Sequence, residues 1–446
     1  MTAKIPGPSG IFSLKYAKEM QSDILKLSEK LINQYGNLVR IPVPGNKVYI
    51  CADPDLIKFI LADAHDSFIK GPRNKHFFPL LGDGLVLSAG QQWRNRRRIL
   101  NPFFTNASIK QFEGQLIQSI EEIILGWKNE DRKQIDLHEE MQRVTIRMLI
   151  RSLFSGDCIK YSEQLFQSFR ILSDFCIKQF FSAFPLPLSL ALIVNPQVKK
   201  ARRQLFKILD EIIKYRKSQP INEKNDLLAT FLSAKDELTG DNLSENQIRD
   251  ELMTIFFAGY DTTSFSLTAA MYLILKDADC LANLSKEARE NITGSVATEE
   301  EAGKLPRIEA AFKEAMRLYP PAYMINRTPI KDIVFKNYTL PAGSLILLSI
   351  WGVHRNEACW KNPLEFKPDR FLEEVDAKQH HFAYLPFSGG SRICLGKNLA
   401  MMEGILVLGT VLKNYELSMN PNQKLGIHQG ATLTVKGGLP IQIKSL

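Results

Sequence analysis

The run FSGGSRICLG, residues 387–396, sets Cys394 between glycines and two positions after Arg392. A lone cysteine is usually a small buried hydrophobe. Ligation of a metal through sulfur needs the thiolate instead, which nearby positive charge and the N–H groups of a helix start both stabilise. The following LGKNLAMMEGILVLGTVL has helical period, so the thiol should stand just before a helix N-terminus. Gly389, Gly390 and Gly396 should let the backbone approach closely and aim N–H groups at the sulfur, and Arg392 adds charge. With these neighbours, a ligand becomes plausible beside the filler.

Outward from this loop, ENQIRDELMTIFFAGYDTTSFSLTAAMYLILK reads as one helix over about 244–276. It is apolar on most faces and should cross the core. AGYDTT, 258–263, interrupts it with residues that resist helix formation; a mid-helix glycine alone costs about 1 kcal/mol against alanine. Two readings stand. One is a tolerated kink whose hydroxyls bond back to carbonyls. The other is a bulge where Asp261 and Thr262 pass protons to a small ligand. Burying Asp261 is costly unless it is hydrogen-bonded or protonated.

NLVRIPVPGNKVYICADP predicts a β-hairpin about Pro-Gly-Asn, making 38–52 β-rich. ATLTVKGGLPIQIKSL predicts a second over 431–445, turning at Gly437-Gly438. The class is mainly α with small β-sheets, drawn largely from the two ends. No linker, repeat or low-complexity tract divides residues 1–446, so one domain is expected.

The chain carries a net charge of +9 without any zinc-finger or RNA-reading signature, which argues against nucleic acid and for an acidic protein partner. Six scattered cysteines fit a reducing compartment, so a soluble cytoplasmic protein is expected. MTAKIPGPSG lacks the apolar core of a signal peptide or anchor. The longest apolar run, 180–194, is too short to span a bilayer and is interrupted by Pro185 and Pro187. It reads as a core-facing connection, or else as a greasy lip over an entrance or against a membrane surface. His354, His380 and His381 lack ligand spacing and read as structural or loop residues.

FSGGSRICLG matches F-x-x-G-x-R-x-C-x-G and resembles the haem-binding segment of the cytochrome P450 family. AGYDTT resembles the same family's oxygen-activation segment. EAMR, 314–317, matches its E-x-x-R, and WRNRR, 93–97, its W-x-x-x-R; KPDRF, 367–371, resembles P-E-R-F with aspartate for glutamate. The elements stand in the family's order from 93 to 396. The resemblance implies a P450 fold with a long central helix, a haem-thiolate loop over 386–396, and haem b (iron protoporphyrin IX). It makes Cys394 the axial iron ligand and Trp93, Arg97, Arg327 and Arg392 propionate partners, with Phe387, Gly390 and Ala258 also at the cofactor. Thr262 and Asp261 become the proton relay, and Glu314, Arg317 and Arg370 a structural network. Val86, Phe257, Ala258, Ala322, Tyr323 and Met324 would line the substrate pocket, with Phe77 and Phe78 nearby. Lys70, Arg73 and Lys75 read as a solvated loop or as an anchor for a carboxylate.

By resemblance the protein is a monomeric monooxygenase, placing one atom of O2 into a C–H bond or double bond of a fatty acid, terpenoid or steroid-like substrate. No flavin or iron–sulfur motif is present, so reducing equivalents from NAD(P)H should arrive through a ferredoxin, flavodoxin or reductase. An acidic donor is expected to dock near Lys397 and the helix carrying Arg94 and Arg96. The rivals are a P450-fold isomerase or dehydratase, a peroxygenase, and a non-catalytic haem sensor. The intact Asp261-Thr262 pair argues against the other enzymes, and the lack of an output segment against the sensor.

Overall fold

Ser244 begins the long helix with a reciprocal cap, its hydroxyl accepting the Gln247 N–H while the Gln247 side chain accepts the Ser244 N–H. The computed structural model describes residues 3–9, 14–43, 46–129, 134–155, 159–182, 186–187, 190, 193–219, 226–235, 240, 242–372 and 380–446. In it the helices that frame the site are α1 (Gly90–Leu100), α2 (Leu137–Phe154), α3 (Ser162–Phe181), α4 (Glu245–Lys276), α5 (Pro306–Leu318) and α6 (Lys397–Asn414). The long helix, α4, packs against α2, α5 and α6, and its apolar residues on several faces are buried in one large core. This is why its sequence lacks a narrow stripe.

The strands are β1 (Leu38–Val43), β2 (Asn46–Cys51), β3 (Phe68–Ile69), β4 (Gln134–Asp136), β5 (Met324–Pro329), β6 (Ile333–Phe335), β7 (Tyr338–Leu340), β8 (Leu345–Ser349), β9 (Tyr415–Ser418), β10 (Ile427–Gln429), β11 (Leu433–Val435) and β12 (Pro440–Ser445). The main sheet has the order β1-β2-β8-β5-β3. β1 and β2 form the expected antiparallel hairpin, in register from Leu38 opposite Cys51; Pro44 and Gly45 of its turn lie outside the described residues. β2 then pairs in parallel with β8, which ties the start of the chain to residues 345–348. The two ends supply most of the strands, as expected, and β5 to β8 add a further group within 324–349.

The second expected hairpin does not form. β11 pairs with β10, whereas β12 pairs with β4 and β9. Gly437 and Gly438 have φ of +83° and +72°, and a side chain on Gly438 would collide with the Asp136 carboxylate. That carboxylate accepts the Leu439 N–H at 3.0 Å while capping α2. The glycine pair thus delivers β12 to β4 instead of folding it back on β11.

A second, smaller hydrophobic cluster lies under the main sheet and includes Leu61 and Leu385. Leu385 sits at the start of the cysteine loop, so this cluster seats the loop against the sheet.

Candidate active site

Cys394 is held by its own loop, its N–H donating to the Phe387 carbonyl at 2.9 Å. Gly390, at φ +68°, is required by close packing, because a Cβ there would lie 1.9 Å from the Leu61 carbonyl oxygen. Gly389 packs on Phe382 and Leu385. These two glycines fit the loop to its neighbours. Only Gly396 among the three is seen to direct its N–H at Cys394. Among the described cysteines Cys394 alone is exposed, yet burial pushes its thiol above the ordinary cysteine value against the opposing pull of the Gly396 N–H, Arg97 and Lys397. Both facts hold for a sulfur deep in the molecule that faces an internal cleft. The surroundings alone do not produce a thiolate; a bound cation that displaces the proton would.

Four cations gather beside the loop. Arg97 of α1 donates to the Ile393 carbonyl at 2.8 Å. Arg392 lies over the Trp93 ring, 4.2 Å from its centre, and donates to the Ser88 carbonyl. Arg327 of β5 is buried and donates to the Asn326 carbonyl at 2.8 Å. Lys70 hydrogen-bonds to the Val86 carbonyl. Burial and the charge of Arg392 push Arg327 down to about 10, and burial and the charge of Arg97 push Arg392 to about 10. Burial, then Arg392 and Arg327, hold Lys70 well below its usual value. No described carboxylate pairs with any of the four. Concentrated positive charge of this kind is costly until an anion joins it, so the donor set fits a group with two carboxylates lying near a sulfur ligand. Lys70 is thus no solvated loop residue; it belongs to the inner cluster.

On α4 the backbone runs as continuous α-helix through AGYDTT. Of the two readings the bulge is absent and the back-bonded polar cluster is seen, with the Thr262 hydroxyl donating to the Ala258 carbonyl and Ser264, Ser266 and Thr268 bonding back in the same way. Ala258 is exposed although its helix crosses the core, so it too faces the cleft. Burial, helped by the negative charge of Asp174 on α3, raises the Asp261 carboxyl to about 6. The next residue, Thr263, donates to Glu403 of α6 at 3.4 Å, and burial lifts that carboxyl to about 8. Sequence reading missed Glu403; its signal was a carboxylate one helical turn along from Leu399, within the apolar stretch of its helix.

α1 is pinned on both sides. Arg96 is buried and pairs with Glu251 of α4 at 2.8 Å, and Glu251 also accepts the Leu85 N–H. Arg94 is half-exposed and pairs with Asp66 at 2.7 Å. The basic run is therefore no uniform docking face, and Arg96 is unavailable to a partner.

Glu314 and Arg317 form a fully buried two-pronged pair at 2.7 and 2.8 Å. Arg370 reaches the same carboxylate at 3.2 Å, and Arg317 also donates to the His354 and Pro363 carbonyls. The His354 ring bridges Arg317 to the cysteine loop. Nε2 accepts the Leu385 N–H at 2.7 Å, so Nδ1 donates to the Arg317 carbonyl at 3.0 Å.

Val86, Phe257, Tyr323 and Met324 line one mainly apolar cavity of about 390 Å³. Ala258 and Ala322 are their chain neighbours but are not on its wall. Phe77 lines it as well, whereas Phe78 turns outward and is 42% exposed. Arg73 also lines it, while Lys75 is exposed. The run 180–194 is not a core-facing connection where it is described. Phe180 and Ser182 line the cavity, while Leu186, Leu190, Ile193 and Val194 are exposed, Ile193 at 70%; residues 183–185, 188–189 and 191–192 lie outside the described residues. No helix among the described residues is long and apolar enough to cross a membrane.

Residues 5–444 match the family model described as Cytochrome P450. The chain is 29% identical over 401 residues to cyclooctatin synthase of Streptomyces melanosporofaciens, covering 90% of this chain and 87% of that one. It is 28% identical to cyclooctat-9-en-7-ol 5-monooxygenase of the same organism, covering 88% and 84%. Among solved structures it is similar to the haem domain of cytochrome P450DA, with a TM-score of 0.90, 25% identity, and coverage of 100% of this chain and 98% of that one.

Proposed function

Because this chain belongs to the cytochrome P450 family, we propose that it hydroxylates or epoxidises a lipophilic small molecule in the cavity beside α4. The observation that carries this is an exposed Cys394 beside four cations that no described carboxylate pairs, together with an apolar cavity whose wall includes Phe257, on the same helix as Asp261 and Thr262. Bound haem would supply the iron at which O2 is reduced by two electrons and one oxygen atom is transferred.

The chain's residues would divide the remaining work. Cys394 would hold the iron, its proton lost on ligation. Arg97, Arg327, Arg392 and Lys70 would receive the two propionates as charge-assisted partners, with Trp93 keeping Arg392 in place. Asp261, poised at about 6, would take protons from water and return them near neutral pH. The Thr262 hydroxyl, now satisfied by Ala258, would turn to pass them into the cleft. Glu403 at about 8 would stay protonated at neutral pH as a reserve donor through Thr263. Tyr323 would present only its ring to substrate, its hydroxyl being spent on the Gly430 carbonyl at 2.7 Å. The exposed Leu190, Ile193 and Val194 would form a lip able to rest on a membrane surface.

Electrons would come from a separate acidic protein, with NAD(P)H as their source, docking on Lys397 and Arg94. The test is turnover with O2 and a redox partner against turnover with peroxide alone. Product that requires O2 and reductant supports the monooxygenase; product from peroxide alone, or rearrangement without either, supports a rival chemistry.

A further inference from the structure

We propose that Arg73 anchors an anionic head group, so that the substrate of this site is a lipophile ending in a carboxylate. The inference rests on the monooxygenase reading of the cavity and adds to it the class of molecule that enters.

Arg73 lies in the short turn of helix Pro72–Phe77 and lines the same cavity as Phe257 and Met324. Its Nη1 alone donates to the Phe180 and Ser182 carbonyls, each at 2.8 Å. Those two bonds fix the guanidinium plane. Nε and Nη2 remain, and a guanidinium edge with both nitrogens suits a two-oxygen acceptor. Neither nitrogen is a buried atom without a partner, and Arg73 stands on the cavity wall, where an anion can reach them. No described carboxylate pairs with Arg73, and burial alone lowers its pKa.

The surroundings match an anion with a long apolar body. Lys75 extends the positive charge of this corner beyond Arg73, and burial followed by the charges of Lys75 and Arg73 lowers the His76 pKa. Asn74 accepts from the Asn326 amide at 3.0 Å, and Asn326 in turn accepts the Gly71 N–H at 2.8 Å, so polar side chains stiffen the turn beside the guanidinium. From there the wall becomes aromatic. Phe180, whose carbonyl holds Arg73, packs on Phe77 at 5.7 Å, and Phe77 packs on Phe257 at 5.8 Å. Phe257 immediately precedes Ala258, which faces the cleft. The charged end and the reactive cleft are thus separated by a phenylalanine-lined passage that an acyl or terpenoid chain would fill.

A purely structural Arg73, stapling residues 180–182 to the 72–77 turn, would treat charged and neutral ligands alike. Dodecanoate and 1-dodecanol are therefore titrated calorimetrically into the haem-loaded protein. The wild type should bind the acid at least about tenfold more tightly than the alcohol, as expected of a charge-assisted over a neutral hydrogen bond. The preference should shrink as salt is raised, since the anchor is only partly buried. Arg73→Gln should bring the ratio to about one by weakening the acid and sparing the alcohol, and Arg73→Lys should keep part of it. An unchanged ratio in Arg73→Gln overturns the anchor, as does a wild type without acid preference or without binding of either probe. If Arg73→Gln does not fold, a Lys variant with the full bidentate preference, or a wild-type preference indifferent to salt, overturns it equally. The reduced CO-bound spectrum of each sample reports the haem-thiolate reading separately, so loss of the anchor and loss of that reading are distinguishable.

Discussion

At the scale of single residues, the proposed chemistry rests on groups whose burial sets their protonation. Thr262→Ala should leave haem content intact while diverting electrons to peroxide or water, lowering product per reducing equivalent by up to about 100-fold; unchanged coupling would remove Thr262 from the relay. Asp174 helps to raise Asp261 to about 6, so Asp174→Asn should lower that pKa. The acid limb of the kcat profile should then move to lower pH, and a shift upward or none would separate Asp261 from turnover. Glu403 gives a stability test. Its folded pKa of about 8 lies above the unfolded value of 4.5, so the native state holds a proton that the unfolded chain has lost across that window. Stability contributed by this group is therefore present below pH 4.5 and declines as pH rises toward 8, by up to about 1.4 kcal/mol per pH unit. Glu403→Gln should flatten the fall in Tm between pH 5 and 8; a slope as steep as wild type would mean that Glu403 is ionised throughout. The roles of Lys70 and Glu403 were not legible in the sequence, since burial and not residue type distinguishes a cluster cation or neutral carboxyl from a solvated one.

At the scale of elements, α1 is the piece that ties α4 to the cysteine loop. One face of it sends Arg96 to Glu251 in the core, and the next position sends Arg97 to the Ile393 carbonyl. Glu251→Gln should cost about 3–5 kcal/mol, as for removal of one partner of a buried pair. Asp66→Asn, which breaks the exposed Arg94 contact, should cost less than about 1 kcal/mol. Denaturant unfolding of the two variants measures the contrast; similar costs would show that the buried pair is not what fastens α1. The long helix was legible to within a residue because thirty-odd apolar-rich positions run without a break. The strands within 324–349 were not, because they are only three to six residues long and leave little room for an alternating pattern to show. The second hairpin was misread for a related reason. Gly437-Gly438 looks like a turn, and only the Asp136 carboxylate shows which way it sends the chain.

At the scale of the whole molecule, the family and the order of its motifs were readable because close-packed glycines, a fixed arginine and one cysteine leave little freedom of spacing. The docking face was readable only in part, since the structure withdraws Arg96 and leaves Arg94 beside the loop that ends in Lys397. Arg94→Glu combined with Lys397→Glu should slow reduction by an acidic donor and weaken the salt dependence of the rate. Identical reduction kinetics would place the donor elsewhere. The central claim is that Cys394, flanked by cations that no described carboxylate pairs, ligates haem iron through sulfur. The most direct measurement is the difference spectrum of the reduced, CO-bound protein, for the wild type and for Cys394→His. The wild type should show the strongly red-shifted Soret band of thiolate ligation, and Cys394→His should retain haem but lose the shift. An unshifted band in the wild type, or a shift that survives the substitution, would contradict it.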